Sequence, residues 1–156
     1  VKIIRPFNCF GPRQSLRAVI PTIISQALFK KQIDIGNTHT SRDYTYVEDL
    51  AEAYFHVLKN KIFFGNIVNI GTNKENRISD IIKIVQKNLD KKVKIVKKNE
   101  RVRPSKSEVT RLRCNNNFII KNSSWKPKTS LEKGILKTTD WIKKNVSKEI
   151  ISKYII

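Results

Sequence analysis

Residues Ile3, Ile4, Arg5, Pro6, Phe7 and Asn8, followed by Gly11 and Pro12, set a cation, a rigid ring, an aromatic face and a carboxamide directly behind two apolar residues. That order reads as a strand opening into a ligand-facing loop, because Gly and Pro punctuate regular structure and binding groups gather on the loops that follow it. Other candidate chemistry is sparse. Cys9 and Cys114 lack CxxC spacing and read as reduced thiols. His39 and His56 stand apart without a metal-ligand spacing, so no metal site is expected from this chain alone. Asp49, in "YVEDLAEA", falls at the start of a helical pattern, where a carboxylate serves the helix N-terminus in preference to catalysis.

The elements that must position these residues alternate between strand and helix. Val1 to Arg5 reads as a strand, and Leu16, Val19, Ile20, Ile23, Ile24, Ala27 and Leu28 follow the spacing of an amphipathic helix starting near Pro21. "QIDIG" and a stretch around Asp43 to Tyr46 are predicted strands. A second helix follows, its apolar stripe formed by Val47, Leu50, Ala51, Tyr54, Phe55 and Leu58. "GNIVNIG" is a strand, "RISDIIKIVQKNL" a helix with Ser79 as its cap, and "KKVKIV" a strand. A polar loop over 98–113, a short helix near 116–121 and a long helix with Thr129 and Glu132 at capping-box spacing complete the pattern, before the tail "SKEIISKYII".

A length of 156 residues allows one domain with a modest core, and 39% hydrophobic with 29% charged residues is the balance of a folded chain. No apolar run is long enough to span a bilayer and no secretory signal opens the chain, which makes the cytoplasm the default. The formal charge of +19 admits nucleic acid, an acidic membrane or an anionic small substrate as partners. Yet the Lys-Lys pairs at 30–31, 91–92, 97–98 and 143–144 are spread over several elements, with no arginine-rich helix or basic-aromatic platform, so a solvated lysine surface explains most of it.

Four segments, "RPFNCFGPRQS", "SRDYTYVEDLAEA", "GNIVNIGTNKENRISDI" and the run from "ERVRPSKSEV" through "SSWKPKTSLEKGILKTTDWI", occur in the order and spacing of a known family. Over roughly residues 1–145 the chain resembles the C-terminal half of extended short-chain dehydrogenases, the NAD-dependent epimerase/dehydratase family, with nucleotide-sugar 4,6-dehydratases nearest in flavour. Departures are Phe10 where many relatives carry Tyr, and Ser124 where the turn before Trp125 usually has Gly. The resemblance implies an α/β fold: the last strand or strands of a Rossmann-type parallel sheet plus the small mixed substrate-binding lobe. Residues 1–15 would end the NAD-binding domain and form the substrate loop, 16–145 the lobe with interleaved Rossmann elements, and 146–156 a tail.

The same resemblance implies site roles. Arg42 and Arg103 would grip the nucleotide diphosphate as guanidinium forks. Asn8 would face the substrate phosphates, Val19 would line the nucleotide pocket and Glu108 would accept ribose hydroxyls. Pro6 and Phe7 would lie beside the nicotinamide of NAD. Two family motifs are missing from the chain. Its five glycines, at 11, 36, 65, 71 and 134, make no Gly-x-Gly-x-x-Gly turn for a dinucleotide pyrophosphate. Four residues after Tyr44, Tyr46 and Tyr54 stand Glu48, Leu50 and Leu58, and Tyr154 is too near the end, so there is no Tyr-x-x-x-Lys proton-transfer pair and no catalytic residue is expected here. With Val at position 1 and no Met, the expectation is a fragment, inert alone, of a UDP-, dTDP- or GDP-sugar dehydratase or epimerase whose N-terminal half is its missing partner. A homodimer is left open. The competing expectation is a stand-alone basic module that binds nucleotides or nucleic acid.

Overall fold

The computed structural model describes residues 1–102, 104 and 108–154, of which 152–154 by backbone only. The chain is mixed α/β, with four parallel strand pairs among the described residues. It divides into two compact units, one built from residues 1–10, 41–76 and 111–131, the other from 11–40, 77–110 and 132–156. Among the described residues no helix is long and apolar enough to cross a membrane.

In the first unit β1 (Ile3–Pro6) runs parallel to a later strand over Ile67–Ile70, with Ile3 opposite Ile67 and Pro6 opposite Ile70. β2 (Asn8–Phe10) likewise pairs with residues Tyr44–Tyr46, Asn8 opposite Tyr44. The predicted strand around 43–46 is two short strands, Ser41–Arg42 and Tyr44–Tyr46, broken at Asp43; the first pairs with Arg111–Leu112 and the second with β2. Period-two alternation decides the core. Val68 and Ile70 point inward with Ala53, Val57, Phe63, Ile119 and Trp125, while Ile3 and Ile67 on the other face are 48% and 47% exposed.

The second unit holds the first helix, α1 (Val19–Phe29), then β3 (Gln32–Ile35). With the strands of the first unit placed in chain order, Ser41–Arg42 is β4 and Tyr44–Tyr46 is β5, followed by α2 (Val47–Lys59), β6 (Ile67–Ile70), β7 (Asn76–Arg77), α3 (Ile78–Asn88) and β8 (Lys94–Lys97). After them come β9 (Arg111–Leu112), α4 (Asn117–Asn122), α5 (Leu131–Asn145) and α6 (Lys148–Tyr154). β3 pairs with β8, Gln32 opposite Lys94. Gln26 extends this pairing from α1, its side-chain amide donating to the Asp34 carbonyl at 3.1 Å and its oxygen accepting the Asp34 N–H at 2.8 Å.

Local expectations need two corrections. α1 begins near Pro21 as expected, at Val19, with the proline in the first turn, where the N–H groups have no intrahelical partner and a proline loses nothing. The start of α3 is held by Asp80, whose carboxylate accepts the Arg77 N–H at 3.3 Å, and Ser79 lies inside the first turn. α2 turns its other side inward: Asp49, Ala53 and Val57 are buried, whereas Phe55 and Leu58 of the expected stripe are 64% and 65% exposed. The helix carries apolar residues around most of its circumference, and the small Ala53–Val57 side is the one that fits against β6.

Candidate functional site

The residues gathered in the first unit are organised around Asp43, the single residue between β4 and β5, which is fully buried. Its N–H donates to the Leu112 carbonyl at 2.9 Å, continuing the β4–β9 pairing by one step. Its Oδ1 accepts the Thr72 N–H at 2.8 Å and the Thr72 hydroxyl at 2.7 Å, and its Oδ2 accepts the Cys114 N–H at 3.2 Å. Three donors on a buried carboxylate satisfy it, as burial demands. Its own carbonyl accepts from Asn8 Nδ2 at 3.2 Å. One residue thus ties together the ends of β2, β4, β6 and β9.

Gly71 closes the back of this knot. A Cβ there would overlap Cys114 Cβ and lie 3.0 Å from Asp43 Oδ2, so the backbone approach itself requires glycine. Asn116 fixes the same turn, its Nδ2 donating to the Gly71 carbonyl at 2.8 Å.

Arg42, half-buried, precedes Asp43 directly and donates from Nη1 to the Ser41 carbonyl at 2.8 Å. Asn8 is half-buried and its side chain is bonded to the backbone carbonyl of the residue that follows Arg42. Phe7 is half-buried, its N–H donating to the Ile70 carbonyl at 2.9 Å, and Pro6 is exposed at the carboxyl end of β1. In open α/β sheets that end of the strands is where ligands bind. Tyr44 follows Asp43 and is buried; its hydroxyl has no hydrogen-bond partner among the described residues. Burial pushes that phenol up to about 12, against the opposing pull of the Arg42 charge.

Two other expected site residues, Val19 and Glu108, lie in the second unit. Val19, half-buried, is the first residue of α1. Glu108 is half-buried and accepts from Asn37 Nδ2 at 3.1 Å. Arg103 lies outside the described residues. The second unit also has a groove lined by Lys83, Lys87, Lys91 and Lys92 with Asp90 among them; Lys91 is held by its Nζ donating to the Ala27 carbonyl at 3.0 Å.

Nucleophilic chemistry finds no support among the thiols. Neither cysteine is joined in a disulfide. Burial, then the Asp43 charge, pushes the Cys114 thiol up to about 12, and burial raises Cys9. Neither is an activated thiolate. Asp49 is structural: its carboxylate accepts the Thr129 N–H at 2.9 Å and the Thr129 hydroxyl at 3.3 Å. The Thr129 hydroxyl is therefore turned to Asp49.

The sequence has no glycine-rich turn to cradle a dinucleotide pyrophosphate.

Sequence reasoning overlooked Asp43 as a residue with a role of its own. The available signal was a lone acid inside "SRDYTYV", an otherwise uncharged β-rich stretch but for Arg42, where a carboxylate is tolerated only if donors meet it.

The model of the family described as GDP-mannose 4,6 dehydratase matches residues 1–138. A trifunctional UDP-glucose 4,6-dehydratase/UDP-4-keto-6-deoxy-D-glucose 3,5-epimerase/UDP-4-keto-L-rhamnose-reductase of Arabidopsis thaliana is 35% identical over 141 residues, covering 88% of this chain and 20% of its own. The dTDP-D-glucose 4,6-dehydratase of Mus musculus is 32% identical over 155 residues, covering 93% and 41%. Among solved structures, UDP-glucuronic acid 4-epimerase from Bacillus cereus, in complex with UDP-glucuronic acid and NAD, superposes with a TM-score of 0.83 at 26% identity, covering 92% of this chain and 45% of that one. The epimerase Mth375 of Methanothermobacter thermautotrophicus shares the fold at a TM-score of 0.84 and 24% identity, covering 97% and 45%. The chain spans less than half the length of each of these proteins.

Proposed function

The chain belongs to the GDP-mannose 4,6 dehydratase family, and from that premise we propose that it is the nucleotide-sugar-binding part of an NAD-dependent dehydratase or epimerase acting on a UDP-, dTDP- or GDP-sugar. The observation that carries the reading is the joining of Asn8 to the residue after Arg42 through the Asp43 carbonyl at 3.2 Å. A guanidinium and a carboxamide held at one locus suit the paired phosphoryl groups of a nucleoside diphosphate: the guanidinium contributes charge and forked donors, the amide a neutral donor. Arg103 adds the second guanidinium, Val19 contacts the nucleotide and Glu108 the ribose. Pro6 and Phe7 flank the nicotinamide in the complete enzyme, where NAD would take up hydride from the sugar. The exposed Ile3 and Ile67 support membership in a larger enzyme, since parallel strands ordinarily have both faces covered. The proton-transfer Tyr/Lys pair belongs to that larger enzyme, and this chain binds without turnover. Two cysteines without a disulfide suit a reducing, cytoplasmic setting.

Titration of the chain with UDP, dTDP and GDP tests the proposal. One of them is expected to bind, and Arg42→Lys to weaken it about tenfold, because an ammonium cannot reproduce a forked contact. Failure of all three to bind, or equal affinity in Arg42→Lys, would refute it. The lysine groove favours a second reading, general polyanion binding through the second unit. Binding of single-stranded or duplex oligonucleotides that survives physiological salt and is lost on replacing Lys87 and Lys92 would establish that reading; binding that vanishes with salt would dismiss it.

A further inference from the structure

We propose that Asp43 is a positioning residue for nucleotide binding, acting through the Arg42 and Asn8 side chains rather than on the ligand. The proposal rests on the nucleotide-binding reading of those two residues. Asp43 has no exposed surface and its three carboxylate contacts all run inward, to Thr72 and Cys114. It therefore cannot meet a ligand itself. What it fixes is the backbone at the point where Arg42 leaves β4 and where the carbonyl that holds Asn8 is presented. The hydrogen bonds are divided between the two oxygens: Thr72 uses Oδ1 and Cys114 uses Oδ2. An asparagine has only one acceptor oxygen, so Asp43→Asn must release either Thr72 or Cys114 and set an NH2 against a donor. The residue 43 backbone then shifts, and the Arg42 and Asn8 donors lose their common setting.

A knot that merely holds the unit together would act differently. Val57→Ala, in the buried core of the same unit and remote from this hydrogen-bond set, serves as the comparison. Affinity for whichever of UDP, dTDP and GDP the chain binds best is measured by calorimetry, with folding checked by circular dichroism. Asp43→Asn is expected to weaken binding at least about tenfold, the size of effect that loss of one well-placed contact produces. Val57→Ala should stay within about twofold of the parent, although it too loses stability. A folded Asp43→Asn variant with parental affinity, or equal losses in both variants, overturns the proposal. If Asp43→Asn does not fold, Thr72→Val removes the hydroxyl that donates to Asp43 and accepts the Lys74 N–H while keeping the Thr72 N–H contact, and unchanged affinity there also overturns it. If the parent chain binds none of the three nucleotides, the functional reading fails by itself. Positioning is then decided by the Asn8 side-chain amide signals in nuclear magnetic resonance: Thr72→Val should shift them and Val57→Ala should not, and unmoved signals in Thr72→Val overturn the proposal.

Discussion

Replacing Asp49 by alanine separates a structural carboxylate from a catalytic one. Asp49 is 4% exposed, in the first turn of α2, and pins the segment that leads into α5. It accepts the Thr129 N–H at 2.9 Å and the Thr129 hydroxyl at 3.3 Å, while its carbonyl accepts Trp125 Nε1 at 2.9 Å. The alanine variant keeps the carbonyl contact and loses the two carboxylate contacts. A hydrogen bond to a charged group contributes about 1.5–3 kcal/mol, and the N–H contact earns a value near the middle of that range. The longer hydroxyl contact adds about 0.5 kcal/mol. Loss of a negative charge at the helix N-terminus removes about 0.5 kcal/mol more. Asp49→Ala should therefore lower the unfolding free energy by about 3 kcal/mol, and Thr129→Val by about 0.5 kcal/mol. Urea unfolding followed by circular dichroism measures both, with the slope against denaturant unchanged. Nucleotide affinity at low temperature, where the variant remains folded, should equal that of the parent. A stability loss under about 1 kcal/mol would refute the energetic argument. Loss of affinity in a folded variant would refute the assignment of Asp49 to structure.

Two further perturbations follow from the same unit. Gly71→Ala places a methyl group against Cys114 Cβ and 3.0 Å from Asp43 Oδ2, and should destabilise by about 2–4 kcal/mol or prevent folding; Cys114→Gly in the same chain relieves the main overlap and should recover part of the loss in a urea titration. Alkaline stability provides the other. The Cys114 thiol and the Tyr44 phenol are both raised to about 12 from ordinary values of 9.0 and 10.0, so the unfolded chain releases these protons first and stability falls as pH rises from about 9 towards 12. Tyr44→Phe should lessen that decline and, by removing a buried hydroxyl without a partner, leave stability at pH 7 equal or higher; a steeper alkaline loss in this variant would contradict the argument.

Much of the fold is legible in single segments. The buried residues Ile20, Ile23, Ile24 and Ala27 of α1, and Ile78, Ile81, Ile82 and Val85 of α3, repeat the spacing that defines an amphipathic helix. α2 is different because its apolar residues occupy more than one side, and periodicity cannot choose which side meets β6. The closeness of Gly36 is equally hidden: a Cβ there would strike the Arg101 carbonyl oxygen, a partner that only the β3–β8 pairing delivers. At the candidate site, resemblance pointed to Arg42 and Asn8 but said nothing of the residue 43 carbonyl that holds Asn8. The Asp43 partners stand 29 and 71 residues away along the chain, at Thr72 and Cys114, beyond any local pattern.

The position of Asp43 follows from a problem of strand pairing. β4 pairs with β9 and β5 pairs with β2, so the chain exchanges one parallel partner for another between Arg42 and Tyr44. At such an exchange neighbouring backbone donors fall out of register, and buried N–H groups must still find acceptors. The Thr72 and Cys114 N–H groups find them in the Asp43 carboxylate, which replaces a strand edge with two oxygens on one side chain. The same exchange leaves the Asp43 carbonyl available to Asn8, at the start of β2. Arg42 is the last residue of β4 and Asn8 the first of β2, so two strands otherwise paired elsewhere are joined at their ends by the acid between β4 and β5. A hydrophobic residue at 43 would leave the donors unpaired; an asparagine would answer only part of them. The acid that follows the arginine thus answers the strand exchange, and the same exchange gives the Asn8 amide its backbone acceptor at residue 43.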